Sequence, residues 1–365
     1  MSTQNKQRIG FVGTGGIADM HMQHYLAFDD VEIVGACDIV PGRARAFLDK
    51  YKLSGAPAFE NVNDMIKNVQ MDGADVCTFH TTHAECTVAL LEAGVHVMCE
   101  KPMSFKLDEA VEMVRASRKA NKMLSIGFQP RFDPIRRMVD SIIESGALGK
   151  VYYVQSGGGR RRGIPAGNFV DADKSGYGCL GDIGCYSIDQ CLHAIRYPKP
   201  LTVSAVATDY FGKNPKHWPD PENFNVDDFS VAFVRMEGDV TFVFKQSWAM
   251  HADSLGDTLW LGTDGGLKVT TAIREQNKPS QVIYYTDING NHLDSVVTPD
   301  SSWVRPRDKY KDAWHGKMRS FVDALYTNGP APVPGEEILY NQAICDGIYR
   351  SSQLKREVEI IIPEI

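Results

Sequence analysis

An apolar run, Arg8–Gly13, passes through Gly13-Thr14-Gly15-Gly16-Ile17-Ala18 straight into a helical pattern, Ile17–Phe28. In this order the first glycine permits a tight turn, and the second lets the backbone approach a pyrophosphate. The small Ala18 lets the helix pack close to the strand. The amides around Gly15, Gly16 and Ile17, at the helix start, then face phosphate charge. A glycine-rich turn alone is weak evidence, but the preceding strand and following helix make this one a dinucleotide-binding turn. The alternation continues. Strand patterns cover Val31–Cys37, Ala74–Phe79, Val95–Cys99 and Met123–Ile126, and helical ones Pro41–Tyr51, His83–Ala93 and Leu107–Ala120. Strands separated by helices of this length require right-handed βαβ crossovers and a parallel sheet. Residues 1–127 are expected to form a doubly wound α/β Rossmann domain.

The pattern changes beyond Gly127. Helices are expected over Arg131–Ser145, Asp182–Arg196, Ala313–Tyr326 and Glu336–Leu354, and a strand over Val151–Gln155. From Leu201 to about Val297 the chain is strand-like. Phe229–Met236 and Val240–Trp248 form a hairpin signal around Gly238, and further strands fall near Asp257–Leu261 and Val282–Tyr285. At 365 residues the chain is too long for one core. Residues 128–365 are expected to form an α+β domain on a large, mostly antiparallel open sheet, for substrate binding and oligomerisation. Such a sheet needs its second face covered, which predicts a homodimer or homotetramer.

Asp38 ends the second strand, roughly twenty residues past the glycine turn, where a carboxylate binds adenosine ribose hydroxyls. It would repel a 2′-phosphate, so NAD is expected rather than NADP, although Arg43 lies close by in sequence. A net charge of -7 gives no positive field for nucleic acid or an anionic membrane. Met1–Gln7 has no apolar leader-like run, and no stretch is long enough to span a bilayer, which predicts a cytoplasmic protein. The eight cysteines contain no C-x-x-C pair and read as reduced packing thiols. No H-E-x-x-H spacing is present, and no metal is expected. No G-x-S-x-G elbow is present either.

Several motifs together carry a family resemblance. They are the Gly13–Ala18 turn, Thr78 with His83-Ala84-Glu85, and Ala89–Pro102 ending in Glu100-Lys101-Pro102. Gly127-Phe-Gln-Pro-Arg131-Phe132 and Gly181-Asp182-Ile-Gly-Cys-Tyr186-Ser-Ile-Asp189 complete the set. Over nearly its whole length the chain resembles the glucose–fructose oxidoreductase / inositol dehydrogenase (Gfo/Idh/MocA) family. The resemblance implies a nicotinamide dinucleotide on the first domain, with Thr78, His83, Glu100 and Lys101 near it. It implies sugar, cyclitol or related hydroxy substrates, with Lys101 beside the reacting carbon and a Lys–Pro bond that is often cis. Many relatives carry a histidine four residues after the aspartate. Here Tyr186 stands at that position, as in some branches, and Phe79 and His80 stand where the family usually has Pro and Asn.

Removing hydride from a secondary alcohol also requires its hydroxyl proton to leave. Imidazole suits that task near neutrality, whereas a phenol, with an unperturbed pKa of about 10, needs a cation to stabilise the phenolate. Lys101 is expected to supply that cation, Tyr186 to take the proton, and Asp182, at i to i+4 from Tyr186, to orient hydroxyls or the lysine. Asp189 and His193, also i to i+4, form a competing dyad. Gln129 is a candidate contact to cofactor or substrate, and Arg131 a brace of the domain interface. Arg160 and Arg162 would share a face if the strand continued through them, and their guanidinium forks suit hydroxyls and carboxylates. Trp248 and His251 are candidates for a sugar wall, and Trp314 and His315 for the pocket's border. The functional alternatives are an enzyme whose tightly held NAD(P) cycles without leaving, and a non-catalytic NAD- or sugar-sensing regulator.

Overall fold

The computed structural model describes residues 6–271, 280–299 and 313–365. Residues 1–5, most of the Met1–Gln7 stretch, lie outside the described residues. The chain divides into two compact units. One comprises Met1–Phe132, Pro306–Leu339 and Pro363–Ile365, the other Asp133–Arg305 and Tyr340–Ile362.

The first unit is built on a parallel sheet of β1 (Gln7–Val12), β2 (Val31–Cys37), β3 (Ala58–Phe59), β4 (Gly73–Val76), β5 (His96–Cys99) and β6 (Leu124–Ile126). Their order is β3-β2-β1-β4-β5-β6. That is the doubly wound order, with its switch point between β1 and β4. The strands are nearly continuous apolar runs because helices cover both faces. These are α1 (Gly16–Tyr25), α2 (Arg43–Lys50), α3 (Val62–Asn68), α4 (His83–Glu92) and α5 (Leu107–Ala120). β3 and α3 carry too little periodic apolar sequence to be read in advance.

A division at residue 127 proves too simple. Helix α9 (Ala313–Thr327), expected with the second domain, packs on α1 and β1. Its stripe of Met318, Phe321, Val322 and Ala324 joins one core with Ile9, Phe11, Met22 and Tyr25. A helix with an apolar stripe settles where that stripe is buried, whatever its place in sequence.

The second unit is built on a nine-stranded sheet, ordered β14-β13-β12-β11-β7-β10-β9-β8-β15. Its strands are β7 (Val151–Gln155), β8 (Pro200–Thr208), β9 (Phe229–Met236), β10 (Val240–Ser247), β11 (Thr258–Gly262), β12 (Gly266–Val269), β13 (Val282–Ile288), β14 (Asn291–Val297) and β15 (Val358–Glu359). Every pairing is antiparallel except β10 with β7. The central strands β9, β10 and β11 alternate in burial. Val154, Ala232, Val234, Phe242, Phe244 and Trp260 are buried on one face, while Tyr153, Val231, Phe233, Val243, Leu259 and Leu261 on the other are half-buried or exposed. The unit's helices are α6 (Pro134–Glu144), α7 (Ala172–Ser175), α8 (Cys185–His193) and most of α10 (Gly335–Leu354). The helix expected over Asp182–Arg196 instead opens with a π-type turn, Leu180–Gly184, and becomes α-helical only at Cys185. Among the described residues no helix is long and apolar enough to cross a membrane, and all eight cysteines are free thiols.

Candidate active site

In the first unit the expected cofactor residues gather at the carboxyl ends of the parallel strands, where doubly wound folds bind ligands. Gly13 follows β1, Asp38 follows β2, Thr78 follows β4, Glu100 and Lys101 follow β5, and Gln129 follows β6. Gly13 is required by geometry. Its φ is +83°, and a Cβ would sit 2.7 Å from the Cys77 carbonyl oxygen. Gly15 and Gly16 differ, since a Cβ on either would meet nothing within 4 Å. Gly15 caps α1 without a side-chain hydrogen bond. The turn thus offers open space above uncapped amides at Gly16 and Ile17, which fits a pyrophosphate.

Asp38 is buried and holds this turn in place. Its Oδ2 accepts the Thr14 amide at 2.9 Å and the Thr14 hydroxyl at 2.8 Å, and Oδ1 accepts the Val40 amide at 2.9 Å. Arg43 leans on the same carboxylate at 3.8 Å from a half-exposed position.

Lys101 is half-buried at the end of β5, and the backbone on both sides of it is fixed. Its amide donates to Glu100 Oε2 at 3.1 Å, and the next carbonyl, of Pro102, accepts from His83 Nδ1 at 2.8 Å. The Lys101–Pro102 bond is cis. Burial pushes His83 below the usual histidine range despite the carbonyls of Pro102 and Thr78, so the ring is neutral and the shorter contact marks Nδ1 as its donor. Gly127, on the neighbouring strand end, leaves room for Glu100, because a Cβ there would come within 2.6 Å of Oε1.

Beneath Glu100 lies a network that the sequence reading missed. Lys317 of α9 donates to Glu100 Oε1 and lies 2.9 Å from His21 Nε2. His21 Nδ1 lies 2.7 Å from Asp75 Oδ2, and its Nε2 lies 3.1 Å from Glu100 Oε1. All four residues are buried. Burial alone would raise the Glu100 carboxyl, but the Lys317 ammonium and the His21 hydrogen bond outweigh it and hold Glu100 well below the carboxylate range. Trp314 stacks under the ammonium, 4.4 Å from ring centroid to Nζ. Cys77 completes a cluster with His21 and Asp75 whose ligand-capable atoms lie within 4.8 Å of one another. Burial raises that thiol well above its ordinary value, and the adjacent ammonium disfavours a cation, so the cluster reads as an internally satisfied polar core.

In the second unit, Asp182 lies in the π-type turn and Tyr186 in the first turn of α8. The plain α-helical i to i+4 relation expected between them is therefore interrupted, and π turns of this kind recur at functional sites. Asp182 Oδ2 accepts from the indole Nε1 of fully buried Trp248 at 3.0 Å. Buried Asp227 anchors the start of the turn. It accepts the amides of Gly178 and Leu180, both at 2.8 Å, the Cys179 thiol at 3.0 Å, and the Tyr349 hydroxyl. Gly178 cannot carry a side chain, since its Cβ would lie 1.8 Å from the Asp227 carbonyl oxygen. The carbonyl of Cys185 accepts from Asn341 at 2.8 Å, and that of Tyr186 from Arg136 at 3.4 Å.

Several expectations are corrected. The Asp189–His193 dyad does not form, because Asp189 is buried on the Tyr197 hydroxyl at 2.5 Å and His193 Nδ1 pairs with Asp140 at 3.2 Å. Arg160 and Arg162 do not lie on a strand. β7 ends at Gln155, and Gly158 and Gly159 turn the chain at φ values of +116° and +87°. The two arginines go to different partners, Arg160 to the Gly163 carbonyl and Arg162 to the Met250 carbonyl. Trp314 and His315 are half-buried in the first unit, where Trp314 packs against its core and His315 lies against Phe28. Arg131 is a brace within the first unit, paired with Glu337 at 2.8 Å.

The description "Oxidoreductase family, NAD-binding Rossmann fold" matches residues 7–128, and "GFO/IDH/MocA C-terminal domain" matches residues 137–268. The chain is 26% identical over 370 residues to D-glucoside 3-dehydrogenase of Escherichia coli (strain K12), covering 98% of this chain and 99% of that one. It is 31% identical over 148 residues to myo-inositol 2-dehydrogenase of Thermotoga maritima, covering 40% of this chain and 44% of the relative. Its fold is shared with levoglucosan dehydrogenase in complex with NADH, at a TM-score of 0.82 and 20% identity over 99% of this chain and 100% of the other. Two successive family matches, a doubly wound sheet with a dinucleotide turn and a large mostly antiparallel sheet agree, and the chain belongs to the GFO/IDH/MocA family of oxidoreductases.

Proposed function

We propose that the protein is an NAD-dependent dehydrogenase that oxidises a ring hydroxyl of a sugar, glycoside or cyclitol to a ketone, or an aldose to a lactone, reversibly. The observation that carries this reading is Lys101. It is a half-buried ammonium at the end of β5, with its amide fixed by Glu100 and the next carbonyl by His83, in the unit that holds the dinucleotide turn. The full-length relative named D-glucoside 3-dehydrogenase supports the substrate class. Bound nicotinamide dinucleotide supplies the hydride acceptor. Tyr186 takes the hydroxyl proton, Lys101 provides the positive charge that lets a phenol do so, and Asp182, held by Trp248, orients the substrate's hydroxyls. Gln129 is assigned to substrate or cofactor contact, and Arg160 and Arg162 to substrate contact.

The first test is a panel of aldoses, glycosides and cyclitols with NAD and NADP, read by absorbance of the reduced cofactor. Reduction of NAD by at least one sugar class is expected. Tight NAD binding with no reduction across the panel would reject the enzyme in favour of a sensor. The Tyr186 branch favours one second reading, an enzyme that retains NAD(P) and cycles it. Stoichiometric NADH release on adding sugar excludes that. Tyr186→Phe should lower kcat by about 10²–10⁴-fold, the usual worth of a positioned general base, while NAD affinity holds. Near-normal kcat rejects the tyrosine's role.

NAD over NADP rests on Asp38. Asp38→Ala removes a charge-assisted contact to the ribose and the brace on Thr14. The Kd for NAD should then rise about 10- to 100-fold, and less for NADP. An unchanged NAD/NADP ratio by calorimetry would remove Asp38 from cofactor choice. Assembly as a homodimer or homotetramer belongs to the same proposal, supported by the half-buried apolar face that includes Val231, Phe233 and Leu261. So does a cytoplasmic location, supported by eight free thiols.

A further inference from the structure

Between β8 and β9 the chain makes a long excursion, 209–228, whose start is locked in place. Asp228 Oδ2 accepts the amides of Phe211 and Gly212, both at 2.7 Å. Gly212 has no room for a side chain, since a Cβ would lie 2.2 Å from the Phe224 ring. Phe211 is therefore a fixed platform, and three groups gather on it. His217 stacks at 4.6 Å with 29° between planes, His251 lies at 5.1 Å, and the Arg162 guanidinium sits 5.0 Å above the ring centroid. His217 and His251 are 5.5 Å apart, and Arg162 Nη2 is 3.5 Å from His251 Nδ1. Arg162 is tethered chiefly through Nη1, which donates to the carbonyls of Met250 at 2.8 Å and Arg161 at 2.5 Å, while Nη2 makes only the long contact to His251.

This collection is unbalanced in charge. Among the described residues no carboxylate pairs with Arg162, His217 or His251, whereas neighbouring Arg161 has Asp253 at 3.3 Å. His217 is pushed down by lost hydration and then by Arg162, His251 and Lys216, all positive when charged. A guanidinium with no carboxylate partner, beside two imidazoles that add positive charge when protonated, leaves a local positive field that an anion would neutralise. With Nη1 taken by carbonyls and Nη2 making only a long contact to His251, the guanidinium still offers N–H groups on Nε and Nη2, the fork that fits an oxyanion. The cluster is also tied to the candidate site. Trp248, which holds Asp182, lies three residues before His251, so their backbones are at most about 11 Å apart.

We infer that Arg162, His217 and His251 on Phe211 form a subsite for an oxyanion substituent, carboxylate or phosphate, carried by the sugar. The inference rests on the dehydrogenase reading for what happens at the ring hydroxyl, but not for the binding itself. The protein's net charge of -7 repels anions overall, so any preference for them must be local.

The test is calorimetric binding to the full chain with NADH present, so that no turnover is needed. The ligands are methyl glucoside, methyl glucuronide and glucose 6-phosphate at constant ionic strength. At least one anionic sugar should bind about 10- to 100-fold more tightly than the glucoside, the worth of a charge-assisted contact. Tighter glucuronide marks a carboxylate site, and tighter glucose 6-phosphate a phosphate site. In Arg162→Gln the ratio of anionic to neutral affinity should collapse to near one. His251→Asn, with melting curves recorded for both variants, guards against misfolding and should shrink the same ratio. Neutral glucoside binding as well as either anion, no detectable binding of either anion, or a preference that survives both substitutions would overturn the inference. If the anions bind as expected and hydride transfer is still absent with NAD, the dehydrogenase reading fails and the subsite stands.

Discussion

Lys101→Met is expected to lower kcat by about 10³-fold or more while the Kd for NAD stays within a few-fold. The substitution keeps the length and most of the volume of the side chain and removes only the charge. The backbone should not move, because the amide of residue 101 is held by Glu100 and the carbonyl of Pro102 by His83, and neither bond uses the lysine side chain. In the mechanism we propose, what is lost is the cation that would let a phenol accept a proton near neutrality, a step worth about 10²–10⁴-fold, together with electrostatic stabilisation of the developing alkoxide. Single-turnover absorbance and calorimetry on the same preparation separate the two quantities. A variant that turns over near normally would remove the lysine from the chemistry and the main support from the proposed function. A variant that loses NAD binding instead would make Lys101 a cofactor ligand only.

Lys317→Met should destabilise the first unit by about 3–5 kcal/mol, the usual cost of breaking a buried ion pair from one side. The ammonium is the only positive partner of Glu100 among the described lysines and arginines, and it sits where water cannot replace it. Without it, Glu100 and Asp75 face His21 alone, and Glu100 loses the charge that keeps it ionised despite burial. The double replacement Glu100→Gln/Lys317→Met should recover a large part of the loss, because the remaining groups are then neutral amide and thioether. Denaturant unfolding of the wild type, both single variants and the double variant measures this directly. A loss below about 1 kcal/mol in Lys317→Met would place the pair among those worth little.

The first unit was legible strand by strand because βαβ units write their periodicity locally. Most of the strands are nearly continuous apolar runs beside the helix that covers them. What escaped was short or distant. β3 is two residues long, and α3 buries only Met65. The partners Glu100 and Lys317 are 217 positions apart. One signal was present, since Lys317 lies on the same stripe as Met318, Phe321 and Val322, and a lysine on a buried stripe demands an acidic partner. In the second unit the hairpin of β9 and β10 followed from two strand-like runs joined by Glu237-Gly238-Asp239. Arg160 and Arg162 were paired by the alternation of a strand, but β7 ends at Gln155 and the positive φ of Gly158 and Gly159 carries them away from it. Asp227 and Asp228, adjacent in sequence, hold a π-type turn and a long excursion respectively. No spacing rule assigns such tasks to neighbouring carboxylates.

The return of α9 to the core of the first unit has a practical consequence for engineering. A fragment ending at residue 127 would carry every residue expected to touch the dinucleotide up to Lys101. It would nonetheless leave Ile9, Phe11 and Met22 without part of their packing and Glu100 without its ammonium. Excised this way, the nucleotide-binding half is expected to aggregate, whereas a transplant that also carries the helix of residues 313–327 should remain folded. The cofactor module of this protein is a discontinuous cassette, and chimeras must be cut accordingly.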